Sequence, residues 1–368
     1  MRRELERGRE DARGARARPP LVFGAAALVA LVCLGLGSIA GCGGGRARSA
    51  PSSPPPRPIG PLITLAPPGS TLVIIASPTE LLAHPPTERV VASLFPAEQL
   101  ERFAQRSGVD PRALEEIVIA DHPDGRVILA RGSFDAPFAV REAGERMAPL
   151  ESSVDEPLVR RVGFLGDRRV DLAALAPAVV SWTEGAPQLA AQVLAAVGRA
   201  PASRRHPLGG RLALELRRAA GDAPFALYSL TPLGLPRDTG IGLLLARERA
   251  LSAWALPGAE GRLEVQVELH GEFPDGAAEN FRMLARSVAE TDLGAALGLS
   301  EALPTLRIVA EPRRVRASAT LDPGVLAVGL RMVLRAEMRE LLGEDRPEDP
   351  GSRPAGQPAG PPVAPLTP

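Results

Sequence analysis

Lysine is absent from this 368-residue chain, asparagine occurs once, at Asn280, and cysteine twice, at Cys33 and Cys42. All 43 side chains counted as Lys or Arg are therefore arginine, a bias that fits a GC-rich genome better than selection for a chemistry. Beyond Cys42 there is no thiol, which excludes disulfides, thiolate catalysis and cysteine-ligated metals from the body of the protein. Aromatic residues make up 3% of the chain, too few for the stacking platforms of sugar or single-strand nucleic-acid sites. The balance of 43 basic against 43 acidic residues argues against a nucleic-acid partner. Catalytic motifs are missing as well. There is no Gly-x-Ser-x-Gly elbow and no P-loop, and Gly240-Ile241-Gly242 lacks the rest of a dinucleotide fingerprint. No cofactor is called for.

What is present begins at the N-terminus. Met1 to Pro20 holds seven Arg against four acids, and an uncharged apolar run follows from Leu21 to Gly41. At about 1.5 Å per residue this run is long enough to cross a bilayer. Its last third, with Gly35, Gly37, Ser38, Ala40 and Gly41, is small and forms helix poorly, as a cleavage site requires. Cleaved or not, a positive flank held inside places the rest of the chain outside the cytoplasm.

Ile39-Ala40-Gly41-Cys42 completes the pattern and resembles the lipobox of bacterial lipoprotein precursors. The resemblance implies cleavage before Cys42, acylation of its sulfur and new amino group, and a partner in the membrane itself through lipidated Cys42. Two or three acyl chains make such an anchor effectively permanent, whereas one chain binds only reversibly. Gly43 follows the Cys where Asp would favour inner-membrane retention, so the outer membrane facing the periplasm is expected in a host with two membranes. The mature chain would carry 36 Arg (43 minus 7) and 39 acids (43 minus 4).

Composition divides the remainder. The expected organisation is a signal peptide at 1–41, a disordered tether at 42–66, repeats at 67–208 and 209–343, and a disordered Pro-rich tail at 344–368. In the first repeat the pattern predicts a strand at Thr71–Ala76, helix around Thr87–Ser107, and a short helix capped by Asp110-Pro111. Hairpins are expected at Ile117–Ala130 and Leu158–Leu175, and a helix at Pro187–Val197. In the second, strands are expected at Phe225–Leu230, Ile241–Ala246 and Arg262–His270. A hairpin spanning Thr305–Leu321 and a helix opened by Asp322-Pro323 complete it. Gly-x-Phe before a helix-capping Asp recurs at Gly132 and Gly271, and Arg-Arg-Val opens a strand at Arg168 and Arg313. Duplication is the reading. The fold class is α+β, two diverged repeats, each an antiparallel sheet with helices on one face, whether as two sheets or one. This order of elements is similar to two-repeat lipoproteins of GC-rich bacteria such as myxobacteria, a likeness of pattern that brings no activity with it.

Candidate chemistry is sparse. His122 sits between Asp121 and Asp124 in a turn, a conceivable cation site but more simply a solvated hairpin tip. His270 falls on the polar face of its strand, where a surface role is expected, and His84 and His206 adjoin Pro in loops. Gly132-Ser133-Phe134 resembles a nucleophile elbow only in position, and Glu115-Glu116 and Asp155-Glu156 read as solvated charge. Trp182 and Trp254 are expected in the core. Arg314 and Arg316 project together near Arg307 and Arg313, as an exposed strand face or an anion or headgroup patch. No catalytic, cofactor or metal residue is assigned, and Cys42 is the one site. The expected function is a non-enzymatic, lipid-anchored envelope protein that binds another envelope protein or serves structurally. The alternatives are a carrier of lipid or another apolar ligand, and a hydrolase whose site is assembled from distant residues.

Overall fold

The computed structural model describes residues 59–151, 159–200, 203–204, 207, 211–221, 223–230 and 248–331. The leader, Cys42, Asp155-Glu156, His206, the Ile241–Ala246 strand and the Pro-rich tail lie outside them. So does Leu341. Among the described residues no helix is long and apolar enough to cross a membrane.

The strands are β1 (Leu72–Ala76), β2 (Leu114–His122), β3 (Gly125–Gly132), β4 (Ala148–Glu151), β5 (Arg160–Leu165), β6 (Arg168–Ala176), β7 (Val179–Gly185), β8 (Phe225–Ser229), β9 (Glu248–Pro257), β10 (Leu263–Gly271), β11 (Arg307–Glu311) and β12 (Arg314–Leu321). They form one twelve-stranded sheet in the order β11-β12-β10-β9-β8-β1-β2-β3-β7-β6-β5-β4. Every adjacent pair is antiparallel. Strands β1 to β7 fill one end and β8 to β12 the other, joined where β1 pairs with β8.

The helices are α1 (Pro78–Ala83), α2 (Pro85–Leu94), α3 (Ala97–Ser107), α4 (Ala136–Gly144), α5 (Pro187–Val197), α6 (Arg211–Ala220), α7 (Ala277–Ala289), α8 (Asp292–Ala296), α9 (Leu299–Ala302) and α10 (323–331). The helix expected around Thr87–Ser107 is two, broken at Phe95-Pro96. Proline lacks an N–H and restricts the residue before it. Asp110 caps as expected, accepting from the Arg112 N–H at 2.9 Å, but closes only a single 3-10 turn.

The class is mixed α and β with a large antiparallel sheet, as expected, and its helix coverage goes further. The uninterrupted apolar runs of β1, β2 and β3 leave no polar face, so the sheet's middle must be covered on both sides. On one face Ile74, Ile117, Ile119, Ile128 and Trp182 pack with α1 and α4. On the other, Val73, Val118, Val127, Leu129 and Trp254 pack with α5 and α6. Each buried aliphatic side chain contributes about 1.5–3 kcal/mol. At the second end α7 covers one face only, with Phe281 and Phe273 edge-to-face at 5.8 Å above Leu269 and Val315. Helices α2 and α3 cross the molecule to pack with α10 beside Leu263.

The tether boundary needs correction. Residues 59–66 belong to the folded body, because Leu62 and Leu65 on a 3-10 turn are fully buried in the α5-side core. Glu116 accepts from the Leu62 N–H at 3.0 Å and holds this segment down.

One of the two sequence anchors coincides with the topology. Gly132 ends β3 and Gly271 ends β10, and each of these strands is the third out from the β1–β8 junction. A side chain at Gly132 would meet the Ala113 carbonyl oxygen at 2.4 Å, so glycine is required there. The Arg-Arg-Val anchor does not coincide. Arg168 opens β6, whereas Arg314 opens β12, and it is β7 that flanks β3 as β12 flanks β10. Asp135 caps α4 through the Phe138 N–H at 2.9 Å. Asp275 makes no such bond, since Gly276 at φ 80° occupies the cap of α7.

Candidate functional site

Among the described residues the most charged buried place lies on β10, on the face turned away from α7. Strand alternation sends Glu264, Gln266, Glu268 and His270 to that face, as expected, but the expectation of a surface His270 is overturned. Glu268 is 1% exposed and His270 6%. Strand β10 is flanked by β9 and β12, so Glu268 has Ser252 directly across on one side and the stem of Arg316 on the other, and α6 packs on β9 on this same face.

Glu268 gathers the cations around it. Arg316 donates to its Oε2 from Nε at 3.0 Å and from Nη2 at 2.8 Å, and Arg314 reaches Oε1 at 3.4 Å. His270 Nε2 lies 3.1 Å from Oε1. Burial pushes the Glu268 carboxyl up, but His270 and Arg316 more than offset it and hold the group at about 2. The arginine patch anticipated on β12 is thus largely neutralised from within. Arg314 also binds Glu311 at 2.8 Å, and Arg307 and Arg313 stay exposed.

Ser252, Glu268 and His270 are the residue types of a hydrolytic triad, yet their arrangement is not one. A triad places the imidazole between acid and nucleophile. Here Ser252 stands across from Glu268, not His270, and the carboxylate is held by two guanidiniums. Ser252 itself is fully buried, and its hydroxyl has no hydrogen-bond partner among the described residues. The cluster is built to hold charge inside a sheet.

His122 is half-buried rather than a solvated tip. Its Nε2 lies 3.1 Å from Ser70 Oγ, and burial lowers its pKa in spite of Asp121 and Asp124. Asp121 faces Arg126, which donates to it at 3.1 Å, so the imagined cation site is already filled by a guanidinium. Glu116 is raised by burial although Arg131 sits 3.2 Å away. Ser133 follows the strand end, its N–H bonded to the Ala113 carbonyl, in a turn that feeds α4. Trp182 and Trp254 are core residues on opposite faces of the sheet. Among the described residues no group of His, Cys, Asp and Glu is placed to hold a metal ion.

One feature carried no sequence signal. An open groove of about 730 Å³ runs between Thr64–Pro68 and one side of α5, lined by Leu65, Pro68, Ala191, Ala195, Arg199 and Arg204 among others. Arg204 bridges its walls, donating to the carbonyls of Ile59 and Arg199 and lying 3.3 Å from Thr64 Oγ1. Two segments more than a hundred residues apart make this groove, so no local pattern announces it.

No protein-family model matches the chain, and no curated protein matches it. Two solved structures are similar to it, crystal forms IV and III of TP0453. They share 11% and 12% identity, with TM-scores of 0.46 and 0.44. Each comparison covers 72% of this chain and 94% or 95% of the other.

Proposed function

We propose that this chain is a lipid-anchored extracytoplasmic envelope protein whose body binds protein partners or serves structurally. The anchor rests on one observation, Ile39-Ala40-Gly41-Cys42 directly after 21 uncharged apolar residues. A binding role for the body is supported by large apolar side chains left bare at both ends of the sheet, Leu150 and Phe164 at one and Val309 at the other. Growth with radiolabelled palmitate tests the anchor. The wild-type chain takes up label and Cys42→Ala takes none, whereas an unlabelled, full-length membrane protein overturns the reading.

The groove beside α5 favours a second reading, a carrier of an apolar ligand with an anionic end facing Arg199. Mass spectrometry of lipid extracted from the purified full chain, with and without Ala191→Trp in the groove wall, tests it. Lipid recovered from wild type and lost in the variant supports the carrier. Equal recovery from both removes it.

A further inference from the structure

Strand β11 ends the sheet, and no described strand pairs with its outer side. Which of its backbone groups face outward follows from β12. The Thr320 N–H donates to Thr305 Oγ1, and that hydroxyl donates back to the Thr320 carbonyl, so both backbone groups of Thr320 point to the β11 side. By alternation those of Ser318, Arg316 and Arg314 do the same. Their partners Arg307, Val309 and Glu311 therefore point inward, and Ile308 and Ala310 turn N–H and C=O to the free edge.

The side chains of this edge are self-complementary. Arg-Ile-Val-Ala-Glu, laid antiparallel against a second copy with Val309 at the centre, sets Arg307 against Glu311 of that copy at both ends. Ile308 then meets Ala310 twice as hydrogen-bonded pairs, and Val309 meets its twin as a non-hydrogen-bonded pair, where side chains come closest. Val309 is 59% exposed and Arg307 is exposed, while Glu311, which also meets Arg314 of its own chain at 2.8 Å, keeps an exposed carboxylate for the second copy. Within its five residues the edge has no proline and no bulge, and it keeps one regular register.

We infer that β11 is a homodimerisation edge, at which two copies of this chain join their sheets about a twofold axis through Val309. The contact is isologous, so it closes as a dimer and does not propagate. It makes four backbone hydrogen bonds and two ion pairs over a small area, which places it among weak, transient interfaces. The inference rests on the protein-binding reading above and names one partner for it.

Charge exchange tests it on the full chain in detergent by sedimentation. Arg307→Glu or Glu311→Arg alone sets like charges together twice and lowers self-association about tenfold. Mixing the two variants restores association, because each then meets its opposite. Ala310→Pro removes an outward N–H while sparing the β12 ladder, and it too gives monomer. Val309→Cys, in a chain carrying Cys33→Ser and Cys42→Ser, oxidises to a disulfide dimer faster than Val328→Cys, a control of 58% exposure. A wild-type chain that stays monomeric at every concentration, variants that associate as wild type does, or equal cross-linking at 309 and 328 overturns the inference. Palmitate labelling is read on the wild type, Arg307→Glu, Glu311→Arg and Ala310→Pro, which keep Cys42, so loss of self-pairing is told apart from loss of the anchor.

Discussion

The two ends of the sheet solve one problem in opposite ways. At the β4 end the edge is four residues long, holds Pro149, and shifts register between Pro149 and Glu151, all of which deter another strand. At the β11 end the edge is regular and chemically matched to itself. The buried charge behind each edge differs too. Among the described residues Asp171 is paired with Arg160, while Glu268 is held by Arg314 and Arg316 with His270 beside it. A blunted edge needs little behind it. Behind the β11 edge, Glu268 ties β10 to β12.

Removing the carboxylates should separate the ends most. Glu268→Ala is expected to cost about 3 kcal/mol in a urea melt, since it leaves Arg316 without its carboxylate and removes one of the two that Arg314 meets. Asp171→Ala, which takes the carboxylate away from the Arg160 guanidinium, should cost about 2 kcal/mol. Equal losses would break the contrast.

Acid should reach the same ion set without a mutation. The folded pKa of Glu268 lies at about 2, below its ordinary value of 4.5. Its contribution is therefore complete above pH 4.5 and fades as pH falls toward 2. The shift corresponds to about 3 kcal/mol. Glu268→Gln should flatten the stability–pH curve in that window, and an unchanged slope would assign acid sensitivity elsewhere.

A smaller effect is expected at Gly163 on β5, where an added Cβ would meet the Ala148 carbonyl oxygen at 2.5 Å. Gly163→Ala should lift β4 from the sheet for about 1–2 kcal/mol, read as faster amide exchange confined to β4 and β5. The least is expected from Ala310→Pro, below about 1 kcal/mol in stability, because its N–H faces outward. A cost near that of Gly163→Ala would show that the N–H is used within the protomer.

Much of the fold was legible in local pattern. The hairpin around Asp121–Gly125, the Asp110 and Asp135 caps and the two core tryptophans follow from turn chemistry, capping and apolar runs. Strand β4 was not legible, because four residues containing a proline carry no period. The Arg-Arg-Val anchor misled because matching residues need not mean matching places in a sheet.

The sequence by itself determined the leader pattern ending at Cys42, the absence of thiols from the body and the alternation that sends Glu264 to His270 to one face. Tertiary structure alone decided that Glu268 and His270 are buried, that residues 59–66 join the core, and that β11 ends the sheet. The reason is that alternation sets only the face on which a side chain lies. Burial and pairing depend on which strands stand to either side, and those neighbours, Ser252 and Arg316 for Glu268, come from elsewhere in the chain.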